Sequence, residues 1–316
     1  MIFNPEDVYP NMGSASGVKV TKPWTFLGGM NGTLIGKTGK IYYVDEENGS
    51  SGNDGLTPET AFDTILAATA LCRDDYSDDA QYYIYIFPGT YTETDDLRLY
   101  GHGMHLIGIG QPGADSGVNI LATNCTNGCI LLAGANCSIE NIEFRCDIDV
   151  PGIFVIASDN SIISNCTFKG TSGTTTNAIL VDDMRTSIIE GCTFGEAGGD
   201  FERGIFCESG ADKYLIDSRI TNNKMYANGA AAMGIRVHAD VVTYGTVIDR
   251  NFINLGKATG ASIGIDNDAT GVIMICDNFV CMANGDTPIE SASSPTGMIG
   301  NHTLAGSTTV DPNEAP

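Results

Sequence analysis

A short sequence pattern recurs seven times between residues 138 and 304, and this internal repeat constrains the fold more than any single motif. Most copies carry an asparagine with an apolar residue three positions later, and the steps from Asn141 are 24, 26, 32, 28, 27 and 23 residues. Steps of varying length are typical of a solenoid whose turns differ in length while its strands stay in register. The copies are Ser138–Phe144, Ile162–Phe168, Ile188–Phe194, Ile220–Tyr226, Ile248–Asn254, Ile275–Cys281 and Met298–Leu304.

A second short strand, with glycine or alanine before or near an isoleucine, precedes most copies. Strands of this length cannot bury an apolar face alone, so stacking of rungs about 4.8 Å apart has to supply both the hydrogen bonds and the core. We predict that the recurring asparagines occupy a turn and form a ladder, because Asn tolerates left-handed φ and its amide can bond a neighbouring rung. The aromatic residues predicted to stack inside are Phe144, Phe168, Phe194 and Tyr226.

The composition agrees with β structure and limits the partners. Glycine is frequent, at 39 of 316 residues, whereas charged residues make up only 17%, a balance that favours strands and turns over helices. With 16 Lys and Arg against 39 Asp and Glu, the net charge is −23, so we predict neither nucleic acid nor membrane as a partner. Residues Met1–Asp7 lack the basic and apolar regions of a secretory leader, and we expect no signal peptide.

The stretch from Ile41 to Gly110 sharpens the fold assignment. It contains Ile41–Asp45, the turn-rich segment Asn48–Phe62 and the strand-like segment Ile84–Tyr91. Together with the repeat, these residues resemble the right-handed parallel β-helix proteins of the pectate-lyase-like superfamily. The three segments are similar to the first part of the β-helix in polysaccharide-acting enzymes and phage spikes. The resemblance implies an all-β chain folded as a single-stranded, right-handed parallel β-helix (solenoid) over residues 41–304.

A short N-terminal helix is predicted over about residues 58–72, where Thr57 can cap the helix and Pro58 can occupy its first turn. We expect this helix to cover the open strand edges of the first rung. Residues 1–40 contain prolines, glycines and the only tryptophan, but no sustained period, and we predict that they form an arm for attachment. Residues 305–316 are predicted to be a C-terminal tail.

Two columns of side chains point outward when the second strands are aligned at their inward isoleucines, because side chains alternate along a strand. The early rungs contribute an apolar strip, and the later rungs contribute charged residues. The residues one past the isoleucine are Leu131, Phe154, Leu180, Phe206, Arg236 and Asp266, and those three past it are Ala133, Ile156, Asp182, Glu208, His238 and Asp268.

The charged columns suggest a glycan-cleaving site. Carboxylates on neighbouring rungs can act as acid and nucleophile, or hold a water between them. Asp182 and Glu208 would be the catalytic pair, His238 a proton carrier or orienting group, and Arg236 a clamp for an acidic sugar.

A lyase variant follows from the resemblance to pectate lyases, in which Asp266 and Asp268 would bind calcium and Arg236 would act as the base. No other cofactor is predicted. We prefer the simpler interpretation that these carboxylates are ordinary surface residues. An outward face in such an acidic chain carries carboxylates anyway, and no metal-ligand spacing or activated nucleophile accompanies these.

The apolar strip predicts an interface, since a contiguous exposed apolar patch usually marks one. Self-association about a threefold axis would cover the strip, and so would docking of the N-terminal arm. The residues assigned to this interface are Leu131, Phe154, Ile156, Leu180, Phe206 and Trp24.

Three functional hypotheses follow. The leading one is a structural protein of a virus particle, of a phage in particular: a capsid decoration or a tail spike or fibre subunit. It would be attached through residues 1–40, homotrimeric or bound to other virion proteins, made in the host cytoplasm and carried outside the cell in the virion. The alternative is a lyase or hydrolase acting on an acidic surface polysaccharide, and the third is a glycan-binding module without catalysis.

Overall fold

The protein is a parallel β-solenoid in a computed structural model. The structure describes residues 40–74, 81–112, 116–123, 125–146, 150–170, 177–195, 203–208, 210, 212–226, 232–255, 262–282, 286–291 and 296–305, together with the backbone of Trp24–Thr25 and Asn31–Gly32. Four parallel sheets form the solenoid, and we name them A to D in their order along a rung. The fold class predicted from the repeat is confirmed.

Sheets A and B hold the two strands of the sequence repeat. The ten strands of sheet A are Lys40–Val44, Tyr82–Ile86, Met104–Gly108, Ser138–Glu140, Ile162–Ser164, Ile188–Glu190, Arg219–Thr221, Thr246–Asp249, Ile273–Cys276 and Thr296–Ile299. The nine strands of sheet B are Gly89–Glu93, Val118–Ala122, Ile142–Cys146, Thr167–Gly170, Thr193–Phe194, Lys224–Tyr226, Phe252–Leu255, Phe279–Met282 and His302–Ala305.

Sheet C contains the glycine–isoleucine strands, and the short sheet D follows it in the middle rungs. The eight strands of sheet C are Leu97–His102, Ile130–Ala135, Ile153–Val155, Asn177–Val181, Arg203–Cys207, Met233–Val237, Ile263–Asn267 and Thr287–Ser291. The four strands of sheet D are Ser158–Asp159, Asp183–Arg185, Tyr214–Ile216 and Val242–Tyr244.

The turn from sheet A to sheet B passes through one residue with positive φ, a conformation in which Asn, Asp and Gly are enriched. These turn residues are Asn141, Asn165, Gly191, Asn222, Arg250, Asp277 and Gly300. The early repeat asparagines therefore lie in the turn, as predicted. In the later rungs, however, the repeat asparagine is the residue after the turn, because Glu190 pairs with Thr221 and so sets Gly191 level with Asn222.

A buried asparagine ladder joins the later rungs. The backbone N–H and the side-chain amide of Asn223 both donate to Oδ1 of Asn251, each at 3.0 Å. The same amide also donates to the carbonyl oxygen of Ile189 at 3.1 Å. Asn251, Asn278 and Asn301 continue the arrangement, so the predicted single column of asparagines is two adjacent columns, one for the turn and one for the ladder.

A second ladder of hydroxyl groups lies at the turn into sheet A. The backbone N–H of Cys137 donates to Oγ of Ser161 at 3.1 Å, that of Ser161 donates to Oγ of Ser187 at 2.9 Å, and that of Ser187 donates to Oγ of Ser218 at 3.3 Å. Each of these contacts satisfies a buried backbone donor that would otherwise cost free energy.

The core contains a stack of phenylalanine rings. The ring centroids of Phe144 and Phe168 are 5.1 Å apart, and those of Phe168 and Phe194 are 4.9 Å apart. These three rings are buried, as predicted. The prediction for Tyr226 is wrong: Phe194 pairs with Met225, and Tyr226 lies half-buried on the outer side near Phe252.

The N-terminal end is covered by a helix, α1, over Ile65–Asp74, which packs against the first strand of sheet C. The predicted helix over 58–72 is therefore wrong in its first part, where Pro58–Thr60 forms a separate 3-10 turn. Phe62 separates the two because its backbone pairs in extended form with the first strand, donating to Tyr43 and accepting from Asp45.

Buried Glu93, on the first strand of sheet B, accepts a hydrogen bond from the backbone N–H of Ile65 at the start of α1. Burial raises the pKa of Glu93 to about 7, which the bond to the Ile65 N–H only partly offsets. The capping helix is thus tied to the solenoid through a titratable group.

The predicted arm and tail lie almost entirely outside the described residues. Within residues 1–39, the backbone of Trp24–Thr25 pairs antiparallel with that of Asn31–Gly32 in a separate two-stranded ribbon. Across the described part of the chain, no helix is long and apolar enough to cross a membrane.

Removing one ring of the stack should destabilise the fold. We expect Phe168→Ala to lower the free energy of unfolding by about 3 to 5 kcal/mol, because the neighbouring rings cannot close the cavity. Phe279→Ala is the matched control, since Phe279 also stacks on a neighbour, at 5.4 Å from Phe252, but is 41% exposed. Denaturant melts that show equal losses for both variants would contradict the burial of Phe168.

The stability should fall as the pH rises through the pKa of Glu93. Between its ordinary value of 4.5 and the folded value of about 7, the folded chain binds more protons than the unfolded chain. The stabilisation is therefore complete below pH 4.5 and lost by about pH 7, on the order of 3 kcal/mol. Glu93→Gln should abolish this dependence in melts across pH 4 to 8, and Glu190→Gln, on sheet A, should retain it.

Candidate functional site

The outer face of sheet C carries the residues singled out from the sequence. The six inward isoleucines are level with one another and fully buried. The residues one and three positions after each isoleucine therefore form two outward columns, as predicted.

Asp182 and Glu208 meet at this face. Each follows the end of its strand and extends the ladder by one bond: the N–H of Asp182 donates to Val155 at 2.8 Å, and that of Glu208 donates to Val181 at 3.0 Å. These bonds place the two carboxyl groups on neighbouring rungs, close enough for the Asp182 carboxyl to raise the pKa of Glu208. The structure thus brings the predicted pair together.

Lys213 completes this cluster, and the sequence analysis missed it. Its Nζ lies 2.5 Å from Oδ2 of Asp182 and 3.9 Å from Oε2 of Glu208. Lys213 lies just before a sheet D strand, where no strand alternation assigns its direction. The one signal in the sequence is that it is the only Lys or Arg between Arg203 and Arg219.

The two carboxyl groups have different environments. Burial raises the pKa of Glu208, the contact with the Asp182 carboxyl raises it further, and the Lys213 ammonium opposes both effects. Asp182 holds the lysine on Oδ2, while its Oδ1 is buried without a hydrogen-bond partner among the described residues. Glu208 is thus better suited to keep a proton than an ordinary glutamate, and Asp182 is the carboxyl group that pairs with the lysine.

Arg236 is engaged by two carboxylates. Its Nε lies 3.2 Å from Oδ2 of Asp266, and its Nη2 lies 3.6 Å from Oδ2 of Asp268. Burial raises the pKa of Asp266 to about 6, with Asp268 adding to the shift and Arg236 opposing it. The guanidinium charge predicted to clamp an acidic sugar is therefore largely balanced within the protein.

Calcium requires six to eight oxygen ligands, and the predicted donors Asp266 and Asp268 instead share a guanidinium. In the described ranges, no group of three or more His, Cys, Asp or Glu side chains is arranged to hold a metal ion. The donor set does not fit the ion implied by the lyase resemblance.

His238 is directed toward Asp240 rather than toward the carboxyl pair. Its Nδ1 lies 3.5 Å from Oδ2 of Asp240 and accepts the Asp240 backbone N–H at 3.4 Å. The predicted proton carrier therefore belongs to the same face, with a partner of its own.

The apolar strip is largely covered within the single chain. Leu131, Leu180 and Phe206 are buried, whereas Phe154 and Ile156 are half-buried. Phe206 is flanked by guanidinium groups, with Cζ of Arg203 at 4.6 Å and Cζ of Arg236 at 5.9 Å from the ring centroid. The exposed patch that motivated an interface is absent here, and the side chain of Trp24 lies outside the described residues; the interface stays a prediction.

Comparison with solved structures agrees with the fold. The chain is similar to YbhC of Escherichia coli, with 12% identity, a TM-score of 0.51, and 96% of this chain and 92% of that chain covered. It also matches PfbA, a surface adhesin of Streptococcus pneumoniae, with 12% identity, a TM-score of 0.41, and 76% and 86% covered. An alginate lyase from Paenibacillus sp. matches with 12% identity, a TM-score of 0.28, and 76% and 97% covered.

These similarities concern the fold alone, because one β-solenoid fold serves enzymes and non-enzymes alike. No protein-family model and no curated protein sequence matches the chain. The function has to be argued from the site itself.

Proposed function

We propose that the protein cleaves a glycosidic bond of a polysaccharide at the outer face of sheet C, with Asp182 and Glu208 as the reacting carboxyl groups. The observation that supports this proposal is the placement of both carboxyl groups on neighbouring rungs around the Lys213 ammonium, with the pKa of Glu208 raised. Two carboxyl groups in different electrostatic environments are the arrangement that glycoside hydrolysis uses.

A retaining mechanism is favoured because both carboxyl groups lie within 4 Å of the same Lys213 ammonium, and an inverting enzyme needs a wider gap for water. Glu208 would donate its proton to the glycosidic oxygen as the bond to the anomeric carbon breaks. Asp182 would attack that carbon and form a glycosyl ester. Glu208, now ionised, would then take a proton from water, whose oxygen attacks the anomeric carbon and releases Asp182.

Lys213 has a positioning role in this scheme. Its ammonium lies 2.5 Å from Oδ2 of Asp182 and 3.9 Å from Oε2 of Glu208, so its positive charge acts mainly on the nucleophile. A charged partner also fixes the rotamer of Asp182 before the substrate arrives.

The activity should depend on both carboxyl groups. The purified full-length chain would be incubated with galacturonan, alginate, chitosan and dextran, and reducing ends would be measured against time and pH. We expect cleavage of at least one polymer, declining as the pH rises through the pKa of Glu208. Asp182→Asn and Glu208→Gln should each slow it by about 10² or more.

Asp240→Asn is the control, because it removes a carboxylate from the same face without touching the pair. No reducing ends from any of the four polymers would overturn the proposal. Cleavage that survives both substitutions would leave an enzyme with a different site, and binding without cleavage would identify a glycan-binding module.

We propose as a second candidate the particle subunit expected from the sequence, attached through residues 1–40 and assembled as a trimer or with other virion proteins. The supporting observation is the ribbon of Trp24–Thr25 and Asn31–Gly32, which pairs with itself and with none of sheets A to D. A ribbon whose two described strands pair only with each other is available to dock elsewhere.

Deleting residues 1–40 should separate folding from attachment. We expect the truncated chain to keep the thermal unfolding transition of the solenoid, because the deletion removes only the first residue of the sheet A strand Lys40–Val44, and to lose its association with particles in sedimentation. Normal incorporation of the truncated chain would show that this segment is not the anchor.

A further inference from the structure

A cavity of about 320 Å³ lies where sheet C meets sheet D, and one of its lining residues, Asp183, directly follows Asp182 in the chain. It spans four successive rungs, from the strand Leu97–His102 to the strand Asp183–Arg185, a length of about 14 Å at the usual strand spacing. Its volume is at the lower end of the range for small-molecule sites. The lining residues are Gly101, His102, Ala133, Gly134, Ala135, Ala157, Ser158, Asp159, Asp183 and Arg185.

Small residues keep this space open. Ala133 is level with Tyr100 and Ala135 is level with His102. The second of these two neighbouring rungs therefore has methyl groups where the first has large side chains. A side chain at Gly134 would clash with the carbonyl oxygen of Gly101, so the rung spacing itself excludes a larger residue at that position.

The polar groups of the cavity are held in place. Arg185 donates to both oxygens of Asp183, from Nε at 2.9 Å and from Nη2 at 3.0 Å, and its Cζ lies 4.4 Å from the ring centroid of Tyr214. A rigid Arg–Asp pair offers donors and acceptors to the hydroxyl groups of a ligand.

The charge of the cavity selects against anions. Asp159 and Asp183 outnumber Arg185, which is already paired with Asp183. The ion pairs of the adjoining face hold Asp182, Asp266 and Asp268 against Lys213 and Arg236, which again leaves more carboxylates than cations. A ligand carrying a carboxylate would be repelled, whereas hydroxyl groups or an ammonium group would be accepted.

The cavity and the carboxyl pair share a rung. The Asp182 carboxylate pairs with Lys213, and the carboxylate of the next residue, Asp183, pairs with Arg185 in the cavity. We infer that the cavity is a binding subsite for a neutral or amino sugar unit of the polysaccharide, adjacent to the bond that Asp182 and Glu208 cleave. This inference rests on the proposed function and replaces the acidic glycan expected from the sequence with an uncharged or cationic one.

The test compares three trisaccharides that differ in charge: cellotriose, the glucosamine trimer and the galacturonate trimer. Binding to the full-length chain would be measured by titration calorimetry and saturation-transfer NMR. We expect cellotriose or the glucosamine trimer to bind and the galacturonate trimer not to bind. Failure of both of the first two to bind, or equal binding of all three, would overturn the inference.

Two variants locate the binding site. Ala157→Phe fills the cavity from an exposed position, and Asp183→Asn breaks the bidentate pair. Each should weaken binding by about tenfold or more, as loss of charge-assisted hydrogen bonds does. Glu190→Gln, which removes the same charge on the outer face of sheet A, should bind like the unmodified chain, and thermal melts of all three variants report their folding.

The outcomes separate this inference from the proposed function. Trisaccharide binding that is lost in the cavity variants, with no polymer cleaved, supports the subsite and rejects the cleavage. Cleavage that depends on Asp182 and Glu208 but keeps its KM in Ala157→Phe and Asp183→Asn supports the cleavage and rejects the subsite.

Discussion

Hydrogen bonding between successive rungs is the interaction on which the rest of this structure depends. Neither a strand of three to five residues nor a turn of one residue is stable alone, so each rung is ordered by its neighbours. The backbone ladders of sheets A, B and C supply most of this order, and the buried asparagines and serines extend it through the turns. Once the rungs are in register, every side-chain column follows, including the phenylalanine stack inside and the carboxyl pair outside.

The same register explains how a site forms without a conventional pocket. Asp182 and Glu208 lie far apart in sequence, yet one rung separates them in space, and the ladder fixes that separation. The local environment then divides their roles, because Lys213 approaches one carboxyl group more closely than the other. The small residues at the edge of sheet C provide space beside this pair by the same principle, since a column of alanines and glycines becomes a continuous hollow.

The fold and most of the outward columns could be predicted from two local sequence patterns. The period-two alternation and the recurring glycine–isoleucine pair each involve residues that are neighbours in the chain. The asparagine column was predicted only in part, since Asn222 and Asn223 both match the pattern and only the pairing of Glu190 with Thr221 decides between them. Lys213 could not be predicted from alternation because it lies outside a strand. The burial of Phe206 depends on Arg203 and Arg236, whose long side chains fold over the ring in a way that no local pattern specifies.

The two ladders occupy different parts of the solenoid. The serine ladder runs from Cys137 to Ser218, and the asparagine ladder runs from Cys192 to Asn301, so they overlap only around the rungs that contain Ser187–Asn223. Local unfolding that starts at either end of the solenoid would have to disrupt one ladder before it reached the rungs that contain both. Slow amide hydrogen exchange should therefore be concentrated in these rungs. Asp182 and Glu208 would then lie within or beside the region that is most protected from exchange.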